Sequence, residues 1–343
     1  MKEDYAEKRT DWKLRKLEKR IHGIYDEALQ EMAEKLTDHL DKYEKQRSRK
    51  AKNVDDGTLD VLEYTDWLKR EAYKEKHHRQ MIEVLCEDTY NTNDIAAQMI
   101  SGHMLEVYAL NANYAAYDIA TNTEYRFSFS MYDKDVVERL LRDDPDLLPG
   151  MDRHKKKSTY VKLAKVDKKK DFAWNRKKIQ NELTQGILQG ESVYKIAKRF
   201  EKVVGMNKKT AITNARTATT SAQNAGRMNS FFRAEDMGID VKKSWMATID
   251  GSTRHSHRLL DGQERPLEEP FDSEHGNIMY PGDPYADPAE VYNCRCRLRG
   301  ITKYSRYDAS DMSRRFVRPP EGKTYKTYEE WKYEMGGKGY EQY

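Results

Sequence analysis

Four side chains within one short segment carry chemistry that the rest of this chain lacks. His255 and His257 stand in Asp-Gly-Ser-Thr-Arg-His-Ser-His, and Cys294 and Cys296 stand in Asn-Cys-Arg-Cys-Arg. The segment from Asp250 to Arg297 holds two of the three cysteines and three of the nine histidines, His275 standing apart from the paired His255 and His257. On an extended backbone, residues i and i+2 point to the same side, so each pair presents two donors together. If the two segments lie side by side, they form a two-His, two-Cys tetrahedral site, and thiolate with imidazole selects zinc. Asp250 is a substitute for one histidine. The competing reading is that the imidazoles and reduced thiols are only packed, since zinc ribbons and fingers mostly place two residues between their cysteines, not one.

A metal held this way either clasps the fold or performs hydrolysis. In the second case Glu264, Glu268 or Glu269 supplies the base. The zinc-deaminase pair His-X-Glu and Pro-Cys-X-X-Cys is missing. So are a Gly-X-Ser-X-Gly elbow, a His-Glu-X-X-His helix and a Walker loop. Four protein ligands would close the coordination sphere to water, which favours the structural, non-enzymatic role.

The elements that must position this segment are mostly helical. Hydrophobic residues make up 37% of the 343 and charged residues 35%, with a mean hydropathy of -1.02. That suits long helices burying one stripe more than a single large core. Leu14, Leu17, Ile21, Ile24, Ala28, Met32, Leu36, Leu40 and Tyr43 recur at steps of three or four, predicting a helix over about 10–50 that would span ~60 Å. The turn signal Asn53–Gly57 ends it. A second helical group runs from Val61 to about Thr121, with Trp67, Leu68, Ala72, Met81, Val84, Leu85, Ile95, Met99, Met104, Val107 and Tyr108 as its buried set. Tyr125–Tyr132 alternates like a strand, and Asp143–Gly150 breaks the chain.

Helices resume at Phe172. A short one after Ser192 carries Val193, Ile196, Ala197 and Phe200, and another, rich in small residues, runs from Lys208 to about Met237. Arg216 and Arg227 on it are candidates to bind Asp250 or a partner carboxylate, or are plain exposed charges. Lys243–Ile249 alternates as a strand with Trp245 in its core, Asp261-Gly262 is a turn, and a Pro-rich loop spans Gln263–Glu290. Tyr292–Arg299 alternates again. The fold class is therefore mostly α: a long helical N-terminal half (1–145), a basic linker (146–171), an α+β domain with a small sheet and long loops (172–300) and a tail (301–343), in which Thr327–Tyr333 forms a small docking helix.

The net charge of +4 is too weak to imply a nucleic-acid binder. Between Arg153 and Lys178, however, twelve basic residues face only Asp167 and Asp171. Lys155, Lys156, Lys157, Lys168, Lys169, Lys170, Arg176, Lys177 and Lys178 form the block that would meet phosphates, unless it is a solvated face. Three cysteines are too few for a secreted disulfide framework, and Cys86 sits in an apolar run as a small hydrophobe. No signal peptide or membrane span is read, so a reducing cytoplasm is the expected site of synthesis.

The order and spacing of several short pieces carry a family resemblance. They are Ala215-Arg216-Thr217-Ala218-Thr219, Trp245 before Ile249-Asp250, Thr253-Arg254, His257, Leu260-Asp261-Gly262, Pro281-Gly282-Asp283 and Asn293-Cys294-Arg295-Cys296. Over about 172–300 the chain resembles the phage Mu F-like proteins, the minor capsid or head morphogenesis proteins of tailed double-stranded DNA phages. Arg216, Trp245, Asp250, Arg254, Asp261 and Gly262 match as motif residues. The resemblance implies a virion protein that binds the portal inside the procapsid, meets capsid and scaffold proteins and contacts packaged DNA. Some relatives carry a fused toxin domain after this region, and Ile301–Tyr343 is too short for one. The alternative from the residues alone is a zinc-containing nucleic-acid-binding protein, with a metal-dependent hydrolase third.

Overall fold

The computed structural model describes residues 4–122, 131–135, 137–138, 164–302 and 327–334. Most of the strand expected at Tyr125–Tyr132, the break at Asp143–Gly150 and the lysines Lys155, Lys156 and Lys157 lie outside these residues. The chain is mostly helical, with a small antiparallel sheet late in its sequence.

Helix α1 runs over Tyr5–Asp55, α2 over Val61–Ala72 and α3 over Glu75–Asn122. Helix α4 covers Lys168–Leu188, with Asp167 accepting from the Lys170 amide as its cap, and α5 covers Val193–Asp236. One stripe of α1 is buried at Leu17, Ile21, Tyr25, Met32, Leu36, Leu40 and Tyr43, close to the expected set. On α3, Val84 and Ile95 are 40% and 48% exposed, against expectation. The inward positions are Ile82, Leu85, Thr89, Thr92, Ala96 and Ile100. Apolarity alone misleads there because threonines take two of the inward positions. Thr89 is satisfied by donating to the Leu85 carbonyl at 2.7 Å.

A second difference concerns α5, where two helices are expected and one continuous helix of 44 residues is found. Gly205 lowers helix propensity by ~1 kcal/mol. Phe200, Val203, Val204 and Ala211 nevertheless keep a buried face unbroken across it.

The chain divides into two compact units. One comprises 1–17, 100–164 and 213–343; the other comprises 18–99 and 165–212. The expected boundaries at 145 and 172 do not coincide with these units, because α1, α3 and α5 each contribute residues to both. In the first unit, Thr10 faces Asn111 and Lys13 faces Glu106. In the second, Tyr25 faces Asn93 and Lys35 faces Asp88. In each, one number falls as the other rises, so α1 and α3 run antiparallel. Helices α3 and α5 run parallel in the first unit, with His103 beside Thr219 and Asn111 beside Arg227.

The same unit holds the sheet. Strands β1 (Val241–Met246), β2 (Glu264–Pro266) and β5 (Arg297–Thr302) form an antiparallel sheet in the order β2-β1-β5. Trp245 lies opposite Leu298 and Lys243 opposite Arg265. The Pro-rich stretch is less irregular than expected: β3 (Phe271–Ser273) pairs with β4 (Gly276–Ile278). Two short helices, α6 (His255–Leu260) and α7 (Pro288–Val291), flank that hairpin in sequence. The expected tail helix is present as α8 (Tyr328–Glu334). Its Tyr328 and Trp331 pack on Tyr114 and Tyr117 of α3, with ring centroids 5.5–5.7 Å apart.

Close helix approach depends on Gly226 of α5. A Cβ there would lie 2.4 Å from the Tyr108 carbonyl oxygen and 3.1 Å from the Ala112 nitrogen, both backbone atoms that cannot swing aside. We therefore expect Gly226→Ala to lose about 2 kcal/mol or more of stability in denaturant unfolding. A pH effect follows from His103, which burial pushes down to about 4, with Lys13 assisting and Glu106 opposing. Its Nε2 lies 3.0 Å from Thr219 Oγ1, which itself donates to the Ala215 carbonyl and so receives the imidazole N–H. A histidine neutral in the fold and titrating near 6.5 when unfolded stabilises fully above pH 6.5, and that stability is lost as pH falls toward 4. His103→Gln should flatten the dependence of unfolding free energy on pH in that window.

Candidate metal centre

The site begins where β1 ends. Asp261 accepts from the Ala247 amide at 2.8 Å, and the Gly262 amide donates to the Trp245 carbonyl at 2.8 Å, so this turn returns the chain to β2. Between them, Asp250 accepts from the Ser252 amide, while its own amide donates to Thr253 Oγ1. That tight turn sets up α6. The helix is the main correction to the sequence reading: on a helix, residues i and i+2 point about 200° apart, not to one side. His257 is therefore buried while His255 is exposed, and His255 is not part of the donor cluster.

Cys294 and Cys296 do share a face, although β5 starts only at Arg297. Asn293 is left-handed at φ 55, which turns the chain just before them and leaves Tyr292 half exposed instead of aligned with the cysteines. Their placement is fixed from α5. Thr220 donates to the Cys294 carbonyl, Asn224 to the Cys296 carbonyl at 3.1 Å, and Arg227 to the Leu298 carbonyl at 3.1 Å. Asn224 also donates to the Pro281 carbonyl and accepts from the Leu298 amide at 2.7 Å. Helical steps of four and three rise ~6 and ~4.5 Å, near the ~6.6 Å of two extended residues, so one helix face can read alternate carbonyls. Gly282, at φ +80, approaches the same face: a Cβ there would sit 2.8 Å from the Ser221 nitrogen.

The result is a tight cluster of three buried donors, each no more than 3% exposed. His257 Nδ1 lies 3.4 Å from Cys296 Sγ and 3.7 Å from Cys294 Sγ, and all three ligand atoms fall within 4.8 Å of one another. A tetrahedral site with Zn–S near 2.3 Å and Zn–N near 2.0–2.1 Å has N···S edges of about 3.5 Å. The thiols are not joined in a disulfide. The Cys296 amide approaches Cys294 Sγ at 3.4 Å. Hydrogen bonding between the two sulfurs raises the Cys294 thiol and lowers that of Cys296, with His257 assisting and burial opposing in the latter.

On the other side of the imidazole, His257 Nε2 is 2.8 Å from Glu290 Oε2, an ion-pair distance with the N–H off the ideal hydrogen-bond line. Glu290 is buried and held by Ser256 at 2.9 Å and Ser273 at 3.1 Å. A carboxylate behind a ligating histidine orients the ring and leaves Nδ1 as the donor. Trp245, fully buried, sets its ring edge-on to His257, with centroids 5.3 Å apart. The donor set thus fits a metal as Cys2His, with Glu290 behind the histidine, and not as the expected His2Cys2.

The remaining expected residues are placed as follows. Asp250 is no ligand; Arg295 grips it with two bonds of 2.6 and 2.7 Å, which together with the Ser252 amide hold its carboxyl well below the usual range. Arg254 donates to the Tyr292 carbonyl, tying α6 to the cysteine segment. Arg227 is buried and bound to Asp4 at 2.7 Å and to Asn111, so the expected partner Asp250 is corrected to Asp4. Arg216 is exposed on α5. Glu264, Glu268 and Glu269 are exposed and outside the donor cluster.

In the basic block, Lys168 pairs with Glu87 and Arg176 with Glu83, each at 2.9 Å, which offsets part of its charge. Lys169, Lys170 and Lys177 are exposed, and Lys178 lies over the Trp174 ring.

Sequence reasoning missed Asn224, Glu290 and Lys243. Lys243 is fully buried, donates to the Leu267 and Met279 carbonyls at 3.0 Å, and is lowered by burial to about 7. Its signal was present, since Lys243 stands two residues before Trp245 on the same strand face. Asn224 and Glu290 gave none, because their roles arise only from contacts distant in sequence.

These features define a mostly helical protein whose small sheet is closed by a buried Cys2His cluster. Residues 177–299 match the family described as phage Mu protein F like protein. It is 26% identical over 320 residues to the minor head protein GP7 of Bacillus phage SPP1, covering 92% of this chain and 91% of that protein. It is also 30% identical over 159 residues to the NAD(+)--arginine ADP-ribosyltransferase EFV of Enterococcus faecalis. That match covers 45% of this chain but only 30% of the relative's length. No solved structure matches significantly.

The buried ladder from α5 and the exposed clasp at Asp250 should differ sharply on mutation. Asn224→Ala strands several buried backbone groups and should cost about 3 kcal/mol or more in denaturant unfolding. Arg295→Ala, at an exposed pair, should change the unfolding midpoint far less.

Proposed function

We propose that this protein is a minor head protein of a tailed double-stranded DNA phage, carried in the virion and acting by assembly, not by catalysis. The observation that supports this best is the match to a minor head protein along nearly the whole of both chains, joined to the Mu F-like region. The donor cluster supports a structural role. Its three ligand residues are at most 3% exposed, so a substrate has no direct approach to them. The shared segment with an ADP-ribosyltransferase spans under a third of that enzyme and does not bring its activity along.

On this reading the long helices dock on the portal protein and on capsid or scaffold proteins within the procapsid. Lys169, Lys170 and Lys177, with Lys155, Lys156 and Lys157, face packaged DNA through its phosphates. Cys294, Cys296 and His257 hold a structural zinc ion that ties α6 to the start of β5. No described helix is long and apolar enough to cross a membrane.

Co-expression with the portal protein of the same phage tests the assembly role. The two should co-purify as one complex, and a monodisperse chain that ignores the portal would contradict it. For the metal, Cys294→Ser and Cys296→Ser should each lose zinc and melt lower than wild type, whereas Cys86→Ser should retain the metal.

A further inference from the structure

A second group of metal-type donors lies far from the cysteines in sequence, within the other compact unit. His39 projects from α1, and His77 and His78 come from the first turn of α3. One ring nitrogen from each lies within 4.8 Å of the other two. His78 is buried, His39 half-buried and His77 exposed.

The short connection between α2 and α3 brings the pair on α3 into place. The amides of His77 and His78 both donate to the Lys74 carbonyl, which starts the helix with two adjacent imidazoles near α1. The Nε2 of His78 is 3.0 Å from the Glu71 carbonyl, which can only accept, so Nε2 carries the proton. The Nδ1 of His78 is then a free lone pair, and it points at His39 Nε2, 3.1 Å away. This is the arrangement of a ligating histidine whose far nitrogen is anchored to a backbone carbonyl.

A simple hydrogen bond from His39 to His78 accounts for that one distance. It does not account for the third ring: His77 stacks on His39 at 4.6 Å between centroids and 22° between planes. The Glu71 carboxylate is held by Lys74 at 2.7 Å.

We propose that His39, His77 and His78 form a three-imidazole site for Zn2+ that pins the start of α3 to α1. Nitrogen donors without thiolate or carboxylate suit borderline divalent ions. Nitrogen ligands ~2.0–2.1 Å from zinc sit roughly 3.3 Å apart in a tetrahedron, near the His39–His78 distance. The exposed His77 leaves the ion open to solvent and exchange, in contrast to the buried cysteine cluster. This proposal does not depend on the phage reading or on metal at the cysteines.

The test uses the full chain, stripped by chelator and titrated with Zn2+ alone, alongside His77→Ala and His39→Ala. His77 is exposed, so its replacement should leave melting in chelator unchanged. Wild type should take up one more equivalent of Zn2+ than either variant, with micromolar affinity or tighter. Co2+ in that extra site should lack the thiolate charge-transfer band that Cys294 and Cys296 would give. Equal zinc uptake by wild type and His77→Ala would overturn the proposal, as would an extra equivalent bound only at millimolar zinc.

Discussion

The first unit depends on one face of α5 reading the backbone of the segment that leads into β5. Thr220, Asn224 and Arg227 each hold one of the alternate carbonyls of Cys294, Cys296 and Leu298. Buried backbone groups must find partners, and here a helix supplies them on the approach to β5 and at its start. With those carbonyls fixed, the two thiols lie beside His257. Arg227 carries the same constraint outward, since its remaining donors bind Asn111 on α3 and Asp4 beside α1. The small residues of α5 allow the approach, with Gly226 against Tyr108 and Ser221 under Gly282.

This frame gives the Cys2His cluster its character. Glu290 orients His257 from behind, Trp245 closes one side, and α6 is tied to the cysteine segment by Arg254 and by the Asp250–Arg295 clasp. A metal there would join segments that otherwise meet through few backbone bonds. Such a part suits assembly, in which a loop-rich surface must keep its shape while it meets other proteins. Its three donors are sealed from solvent.

Much of this was legible in the sequence where burial follows a regular period. The stripe from Leu17 to Tyr43, the strand carrying Trp245, the turn at Asp261-Gly262 and the tail helix were all readable. Three features were not. His255 and His257 were read as extended, but the Asp250–Thr253 turn starts a helix and sends His255 to solvent. The break expected before Lys208 is overridden by continuous burial through Val203 and Val204. The hubs Asn224 and Glu290 are ordinary polar residues until the fold brings them to their partners. Order and spacing pointed to the family that residues 177–299 match, while the donor cluster required three dimensions.

Zinc K-edge absorption of the purified full chain tests directly whether this frame holds a metal in its clasp. His77→Ala should be the sample, so that only the clasp contributes. The expected result is one zinc per chain with two sulfur neighbours near 2.3 Å and nitrogen at about 2.0–2.1 Å. Folded protein that carries no zinc, or zinc in a shell without sulfur, would contradict it.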